Sequence, residues 1–462
     1  PLMKRSGFSP EKAGAVEVAS STNGQLMPPV MGAAAFLIAE YTGSSYTDIV
    51  KHAFLPAVVS YIALLYIVHL EALKLNLKGL KKYPSTRTLA QKLLGVVTGF
   101  LVMCTLAGGV YYGLGWLKMA MPDAAFIIVA VVSASVYVLL AGVAAREPDL
   151  QKDDPNSPVL ELPAAWPTAA TGLYFLLPIV ILIWCIMIER LSPSLSAFWA
   201  TVVMVIIAVT QHPLKAAFRS SGELDKAFKR GVDECFEGMV SGARNMIGIA
   251  VATGAAGIIV GTISLTGAHQ MVGGFVELLS GGSLMLMLLL VAVMSLILGM
   301  GLPTTANYIV VSSLMAPVIV ALGAKNGLIV PLVAVHLFVF YFGILADDTP
   351  PVGLAAFAAS AISQGDPVRT GIQGFAYDIR TALLPFLFIF NTELLLIDVT
   401  VGKAILVFLI AVVAMLVFAA ATQGYWIVKS KPWEIVALLL VAFTLFRPGY
   451  WLDRVSPPYD VQ

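Results

Sequence analysis

The sequence predicts an all-α polytopic membrane protein, and three observations predict it. Of the 462 residues, 59% are apolar and 12% are charged, whereas soluble domains contain roughly 25% charged residues. The mean hydropathy is +0.89. Apolar runs that approach the roughly 20 residues of a spanning helix recur along the chain, and they lie near residues 54–73, 93–117, 123–145, 168–189, 195–210, 241–263, 284–300, 303–322, 328–346, 381–400, 403–421 and 432–447.

Charge and cysteine content exclude several kinds of partner. The formal net charge is +1, so no nucleic acid partner is expected, and the lipid bilayer is the surrounding medium. The three cysteines match neither a disulfide framework nor a Cys-x-x-Cys metal site, and no cofactor is predicted. Because the chain starts at Pro1 and not at Met, we expect an N-terminally truncated form of a longer protein.

Two stretches of the chain repeat each other. Leu26–Gly43 (LMPPVMGAAAFLIAEYTG) and Asp348–Gly365 (DTPPVGLAAFAASAISQG) both read Pro-Pro-Val, then Gly, then Ala-Ala-Phe, and both end at a glycine. A polar segment precedes each copy, Ser20–Gln25 (SSTNGQ) in the first and Leu345–Thr349 (LADDT) in the second. A proline-marked apolar segment follows each copy. The shared order predicts an internal structural repeat.

The surrounding charges indicate that the two copies run in opposite directions. Lys74–Lys92 contains six Lys or Arg residues and no acidic residue, so the positive-inside rule places it in the cytoplasm. The first proline-marked helix therefore ends inside. The second begins beside Arg369 and Arg380, which we interpret as markers of a cytoplasmic turn, and so it starts inside. Inverted repeats with interrupted helices are typical of secondary transporters.

A hairpin precedes the second copy. Two short apolar arms within Leu284–Gly323 flank a polar tip, GMGLPTTAN (Gly299–Asn307). In a membrane, broken helices are tolerated only where protein or a polar cavity covers the freed backbone groups. Helix N-termini attract anions, and unwound carbonyls with side-chain oxygens suit a hard cation such as sodium. The predicted sodium- and substrate-binding residues are Gly299, Gly301, Pro303, Thr304, Thr305, Asn307, Asp347, Asp348, Thr349, Ser21, Thr22, Asn23 and Gly24.

Asp347 and Asp348 are the most informative of these residues. A charged side chain at the middle of a bilayer costs about 2.5–3.5 kcal/mol on insertion scales, so two adjacent aspartates require a cation or a wet cavity. We predict a sodium site to which Asp347, Asp348 and Thr305 contribute oxygen ligands, directly or through water. The alternative is a solvated loop between two half-helices, in which Thr304, Thr305 and Asn307 act as helix N-caps.

These motifs resemble the large membrane subunit of the TRAP transporters, the tripartite ATP-independent periplasmic family. The similar stretches are LGMGLPTTANYIVVSSLMAP, FYFGILADDTPPVGLAAFAASAISQG and SGFSPEKAGAVEVASSTNGQLMPPVMGAAAFLIAEYTG, and the resemblance covers nearly the whole chain. It is closest to the TAXI branch, whose small and large membrane subunits are commonly fused in one permease. The apolar runs at 403–447 also fit that branch.

The resemblance implies a sodium-driven importer of organic acids (carboxylates) in a bacterial or archaeal inner membrane. A periplasmic substrate-binding protein would deliver the substrate. A small membrane subunit, fused in the missing N-terminal region or separate, would be a second partner. The implied mechanism is of the elevator type. It divides the chain into the first transport region (1–53, with its hairpin mostly missing), scaffold helices (54–240), the second transport region (241–380, with the hairpin 284–323 and the broken helix 328–363) and C-terminal scaffold and extra helices (381–462).

Other functions would use the same residues differently. A stand-alone sodium–carboxylate symporter would employ the same hairpins without a binding protein, and dependence of uptake on a periplasmic protein separates the two. An intramembrane aspartyl protease needs two carboxylates from separate helices that share a proton, which adjacent Asp347 and Asp348 do not provide. A passive channel does not need occluding hairpins. We therefore predict a transporter and not an enzyme.

Overall fold

The computed structural model describes residues 2–28, 31–32, 34–77, 88–149, 165–189, 191–220, 222–299, 304–350 and 353–447. Apart from one isolated β-bridge between Tyr425 and Lys429, the regular structure in these ranges is helical, and the all-α prediction is confirmed for them. The α-helices are α1 (Leu2–Arg5), α2 (Pro10–Leu26), α3 (Ala34–Thr42), α4 (Tyr46–Lys74), α5 (Leu89–Ala120), α6 (Ala125–Ala145), α7 (Ala165–Ala170), α8 (Leu177–Met187), α9 (Pro193–Phe218), α10 (Leu224–Thr266), α11 (Ala268–Ser280), α12 (Leu284–Gly299), α13 (Thr304–Lys325), α14 (Leu332–Leu345), α15 (Leu354–Ser363), α16 (Pro367–Phe390), α17 (Val401–Gln423) and α18 (Pro432–Phe446). Short 3₁₀ turns cover Leu173–Leu176, Ala346–Asp348 and Thr392–Leu395.

Four helices of the described ranges are long and apolar enough to cross a membrane. They are α4, α6, the Leu195–Phe218 part of α9, and α17. Several other predicted spans are shorter or divided. The run near 168–189 is split between α7, a 3₁₀ turn and α8, and Pro178 lies in the first turn of α8, where its missing N–H costs no hydrogen bond. The chain is a multi-pass membrane protein.

The chain divides into two compact units. Unit 1 comprises Pro1–Lys78, Pro155–Pro158 and Ile249–Gln462, and unit 2 comprises Gly79–Asp154 and Val159–Gly248. The separation into transport regions and scaffold is a functional division, and it stays a prediction.

Helix α14 is the centre of unit 1. Its residues Ala334–Leu345 are buried without interruption, so every face of the helix is enclosed by protein. It packs against α3, α12, α13 and α16. The Phe338 ring lies 5.0 Å from the Phe342 ring and 5.3 Å from the Phe386 ring, centroid to centroid. The two aspartates that follow α14 are therefore attached to the most enclosed helix of this unit.

The two repeat copies fold into the same order of elements. In the first, α2 is followed by a break, α3 leads to Gly43 with φ +65°, and α4 contains Pro56. In the second, α14 and its 3₁₀ turn precede a break, α15 is followed by Gln364 with φ +61°, and α16 contains Pro385. The direction of one copy relative to the other in the membrane stays a prediction.

The break of the first copy lies later than the sequence suggested. We took the polar segment Ser20–Gln25 as the break, but it belongs to α2, which continues to Leu26. The helix ends where Pro28 follows Met27, and Met27 adopts extended angles (φ −80°, ψ 115°). A residue before proline is driven out of the helical region because the proline ring clashes with it.

A triad of charged residues joins α2 to the end of α4. The Glu71 side chain is 2% exposed and accepts hydrogen bonds from Lys12 Nζ (2.5 Å) and Lys74 Nζ (2.7 Å). Two cations thus compensate one buried carboxylate, and one of them comes from the other helix. The triad ties the first broken helix to the helix that follows it.

Unit 2 is built around α6, α8 and α9. The Tyr137 hydroxyl of α6 lies 2.8 Å from Thr210 Oγ1 of α9. After α6, Asp149 accepts bonds of 3.1 and 3.2 Å from Arg219, just past α9. This guanidinium holds the pKa of Asp149 below its ordinary value. Both contacts fasten α6 to α9.

Replacing Glu71 by Gln should destabilise unit 1. The substitution keeps the shape but removes the anion that compensates Lys12 and Lys74. We expect a loss of about 1.5–3 kcal/mol in the free energy of unfolding, typical of hydrogen bonds to charged groups, visible as a lower thermal midpoint in detergent. Glu189→Gln is the control, since its pair with Lys118 is more exposed and should contribute less than about 1 kcal/mol. If Glu71→Gln and Glu189→Gln lowered the thermal midpoint equally, the stabilising role assigned to the buried Glu71 triad would be contradicted.

Candidate functional site

In the second repeat copy, the turn that follows α14 points the side chains of two adjacent aspartates in different directions. After α14 the chain forms the 3₁₀ turn Ala346–Asp348, and Thr349 before Pro350 is extended (φ −80°, ψ 124°). A 3₁₀ turn has about three residues per turn, so neighbouring side chains point roughly 120° apart. Asp347 and Asp348 therefore face different surroundings.

Asp347 faces the hairpin. Its Oδ2 accepts a 2.7 Å hydrogen bond from Thr304 Oγ1, at the first residue of α13. Three residues further on, the Asn307 amide donates to Ser295 O of the other hairpin arm (2.9 Å). Asp347 is thus held by the hairpin that the sequence predicts to be functional, and Asn307 joins the two arms of that hairpin.

Gly299 lets the hairpin approach this turn. A Cβ built on Gly299 would overlap Ala346 Cβ and the Asn307 amide nitrogen. Only a glycine fits at this contact, so its place in the polar tip has a packing reason. The hairpin end and the 3₁₀ turn are consequently in direct contact.

Asp348 faces the opposite side, toward α2 and α16. Its side chain is 0% exposed, and neither carboxylate oxygen has a hydrogen-bond partner among the described residues. The side chains of Asp378 on α16 and Thr22 on α2 interact with it, as do those of Asp347 and Arg380. A buried carboxylate without hydrogen bonds is costly, and a second carboxylate beside it increases that cost.

An ion pair supports this second cluster. Asp378 and Arg380 are both 0% exposed, and Arg380 Nη1 lies 3.0 Å from Asp378 Oδ1. Arg380 Nη1 also contacts Tyr377 O, and its Nε donates to Ser60 O of α4 (3.2 Å). Asp378 Oδ2 lies 3.4 Å from Thr22 Oγ1. Arg380 thus links α16 to α4, and Asp378 links α16 to α2.

Ser60 connects the same three helices. Its hydroxyl donates to Asn23 Oδ1 of α2 (3.0 Å) and lies 3.1 Å from Thr381 Oγ1 of α16. The amide nitrogen of Asn23 and Nη2 of Arg380 are buried, and neither has a partner within the described part of the chain. The cluster therefore contains spare donors as well as spare acceptors.

The predicted site residues separate into groups. Thr22 and Asn23 are buried, while Ser21 and Gly24 are exposed on the other side of α2. Thr349 Oγ1 donates to Leu345 O (2.7 Å), a local bond. Thr305 is half-buried beside Thr304. Gly301 and Pro303 lie outside the described residues.

Sequence reasoning missed Asp378 and misinterpreted Arg380. We took Arg380 as a marker of a cytoplasmic turn, and this was wrong, because the residue is fully buried and paired. The signal was present in the segment FAYDIRTALLPF (Phe375–Phe386). Two opposite charges within an apolar helix indicate a functional pair more often than a headgroup anchor.

The oxygen-rich cluster offers the kind of ligand that a hard cation takes and, over the described ranges, lacks the nitrogen and sulfur ligands of a transition metal. In the described residues, no group of three or more His, Cys, Asp or Glu side chains could hold a metal ion. Asp348, Asp378 and Thr22 offer carboxylate and hydroxyl oxygens, which are the ligands that hard cations take.

Comparison with known proteins identifies a family model that covers most of the chain. The model of the tripartite ATP-independent periplasmic transporter, DctM component, matches residues 1–152 and 119–403. Residues 404–462 match a domain of unknown function, DUF3394. A search of curated proteins gives no match, and a search of solved structures gives none either.

Replacing Gly299 by Ala should disturb the contact between the hairpin and the 3₁₀ turn. The new methyl group would overlap Ala346 and Asn307, and overpacking of this kind costs about 1–3 kcal/mol. A lower thermal midpoint in detergent would show it. Gly402→Ala is the matched control, because a Cβ there meets nothing within 4 Å. If Gly299→Ala is as stable as the control, the close approach is not real.

Proposed function

The chain belongs to the family of the tripartite ATP-independent periplasmic transporter, DctM component, and from this premise we propose that it imports organic acids in symport with sodium. The family is one of transport permeases and not of enzymes. Membership in the family is the observation on which the proposal rests. The finer assignment to the fused TAXI branch is supported by the motifs of the two repeat copies and by the additional helices α17 and α18 at the end of the chain.

Sodium coupling is proposed from the second break. Asp347, Asp348 and Thr305 are the proposed oxygen ligands, acting directly or through water, with Thr304 and Asn307 positioning the hairpin. The support is physical: a buried carboxylate without hydrogen bonds, that of Asp348, is stabilised when a cation neutralises it. No cofactor is proposed, and sodium is the coupling ion.

The substrate is proposed to be a carboxylate held near the same breaks. Helix N-termini carry partial positive charge, and α13 and α15 both begin next to the proposed sodium site. An anion there and a cation beside it stabilise each other. This mutual attraction would couple the two ligands, because each would bind more tightly when the other is present.

The sodium gradient supplies sufficient free energy. Each entering sodium ion gains about 2.3 kcal/mol per 100 mV of membrane potential and about 1.4 kcal/mol per tenfold concentration ratio. We propose an elevator movement in which the hairpin and broken helices move as a body against the scaffold. Both breaks would travel with their ligands, so the site itself need not be rebuilt during transport.

Members of this family work with a substrate-binding protein and a small membrane subunit. We propose the same two partners here, in a bacterial or archaeal inner membrane. The runner-up is a stand-alone sodium–carboxylate symporter, in which the membrane protein alone would suffice. The requirement for a periplasmic protein decides between them.

Uptake into proteoliposomes tests the proposal. The natural protein that contains this chain would be reconstituted with its binding protein and labelled dicarboxylates. We expect uptake to require both an inward sodium gradient and the binding protein. Asp347→Asn and Asp348→Asn should each raise the sodium concentration for half-maximal uptake about tenfold or abolish uptake, since each removes a proposed ligand.

Asp225→Asn, an exposed carboxylate at the start of α10, is the control and should transport normally. Uptake that is indifferent to sodium, or unchanged in both aspartate variants, would contradict sodium coupling at this break. Sodium-driven uptake without any binding protein would instead establish the stand-alone symporter.

A further inference from the structure

The carboxylate of Asp348 is an unmatched charge in the interior of unit 1. The side chain is 0% exposed, and both oxygens lack hydrogen-bond partners among the residues that the structure describes. Its neighbour Asp378 is itself a carboxylate, and the cation that attracts Asp348 is Arg380. An isolated buried carboxylate is so unfavourable that it binds a counter-charge or loses its own.

Arg380 does not supply the missing charge alone. Its Nη1 is paired with Asp378 at 3.0 Å, and both residues are 0% exposed. Asp348, Asp378 and Arg380 together comprise two negative charges and one positive charge, a net charge of −1. One additional monovalent cation makes the cluster neutral. A divalent cation would leave it with an uncompensated positive charge, which is costly in an interior.

Thr22 supplies a neutral oxygen to the same place. Its Oγ1 lies 3.4 Å from Asp378 Oδ2 and also interacts with Asp348. The hydroxyl donates within α2, to Val18 O or Ala19 O at 3.1 Å. Its lone pairs therefore remain available to a cation. Three oxygen-bearing side chains, from α2, the 3₁₀ turn and α16, thus neighbour one another.

Asp347 is not part of this cluster. Its carboxylate accepts the bond from Thr304 of the hairpin, on the other side of the 3₁₀ turn. The two adjacent aspartates thus contact different parts of the protein. Asp347 fastens the turn to the hairpin, and Asp348 faces α2 and α16.

We infer that Asp348, Asp378 and Thr22 form one buried site for a single monovalent cation, and that Arg380 is a positioning residue that sets the charge of the site. The inference rests on the proposed sodium coupling and deepens it, because it assigns one ligand that the sequence did not indicate, Asp378, and a reason for preferring sodium over divalent ions. It also connects the cation to both repeat copies, since α2 belongs to the first and the 3₁₀ turn to the second.

Sodium binding to the purified natural protein in detergent tests the inference without transport. Binding would be measured with ²²Na⁺ and, independently, as sodium-dependent thermal stabilisation in a choline background. We expect one saturable site of this kind, competed by Li⁺ and not by Mg²⁺ at equal concentration. Thr22→Val should weaken sodium binding at least tenfold, and Thr22→Ser should restore it, because only the latter keeps the hydroxyl.

A charge-neutral change tests Asp378 without leaving Arg380 unpaired. The double variant Asp378→Asn/Arg380→Gln removes both partners of the ion pair and leaves the net charge at −1. It should still lose sodium affinity by at least tenfold, because a ligand is gone. Asp225→Asn, an exposed carboxylate outside the site, is the control and should retain this binding within about twofold.

Several results would overturn the inference. These are normal sodium affinity in both Thr22→Val and the double variant, loss of affinity in Asp225→Asn equal to that in Asp348→Asn, or displacement of sodium by Mg²⁺. Stability that depends on pH but not on sodium would also overturn it, because the occupant would then be a proton. If uptake depends on sodium but sodium binding is unchanged in Thr22→Val and in the double variant, the inferred site is refuted and the proposed sodium coupling is not. Sodium binding here together with uptake indifferent to sodium would refute the proposed coupling and leave the site standing.

Discussion

The burial of one carboxylate, that of Asp348, is the constraint on which the rest of the site depends. It follows α14, the most enclosed helix of unit 1, at a point where the chain cannot continue as a helix because Pro350 follows. A charge in such a position requires compensation. The surrounding helices provide a paired arginine, a hydroxyl and a second carboxylate, and this combination accommodates one more positive charge.

The helix breaks and the close contacts of the fold hold the surrounding elements in place around Asp348. Gly299 allows the hairpin to touch the 3₁₀ turn, and Thr304 binds Asp347 from the same side. From the other side, Ser60 and Arg380 hold α2, α4 and α16 together. A body assembled from both repeat copies around a shared charge can move without losing its ligand, as the proposed elevator mechanism requires.

The sequence predicted the fold class, the presence of two helix breaks, and the site residues of the hairpin and of the second break. Composition and hydropathy were sufficient for an all-α membrane protein, and Pro-Pro-Val marked both breaks, although the first lies after Leu26 and not at the polar segment before it. The hairpin and Asp348 could be found because polar residues in apolar runs are conspicuous.

The sequence marks Asp378 and Arg380 only as two opposite charges in an apolar helix. The contact of Asp378 with Thr22, which lies far away in the chain, arises only in the folded structure. The charges of Asp378 and Arg380 resembled those of a helix end facing the cytoplasm. Likewise, the different orientations of Asp347 and Asp348 follow from a 3₁₀ turn, which hydropathy does not reveal. Contacts between side chains of helices that are distant in the chain depend on tertiary packing, and hydropathy and charge patterns do not indicate them.

The most direct test of a buried cation site is electrical. On a solid-supported membrane, a sodium concentration jump applied to reconstituted protein without substrate should give a transient positive current as the ion enters the protein interior. The account predicts this current in the unmodified protein and its loss in Asp348→Asn. No current in the unmodified protein, or an undiminished current in that variant, would contradict it.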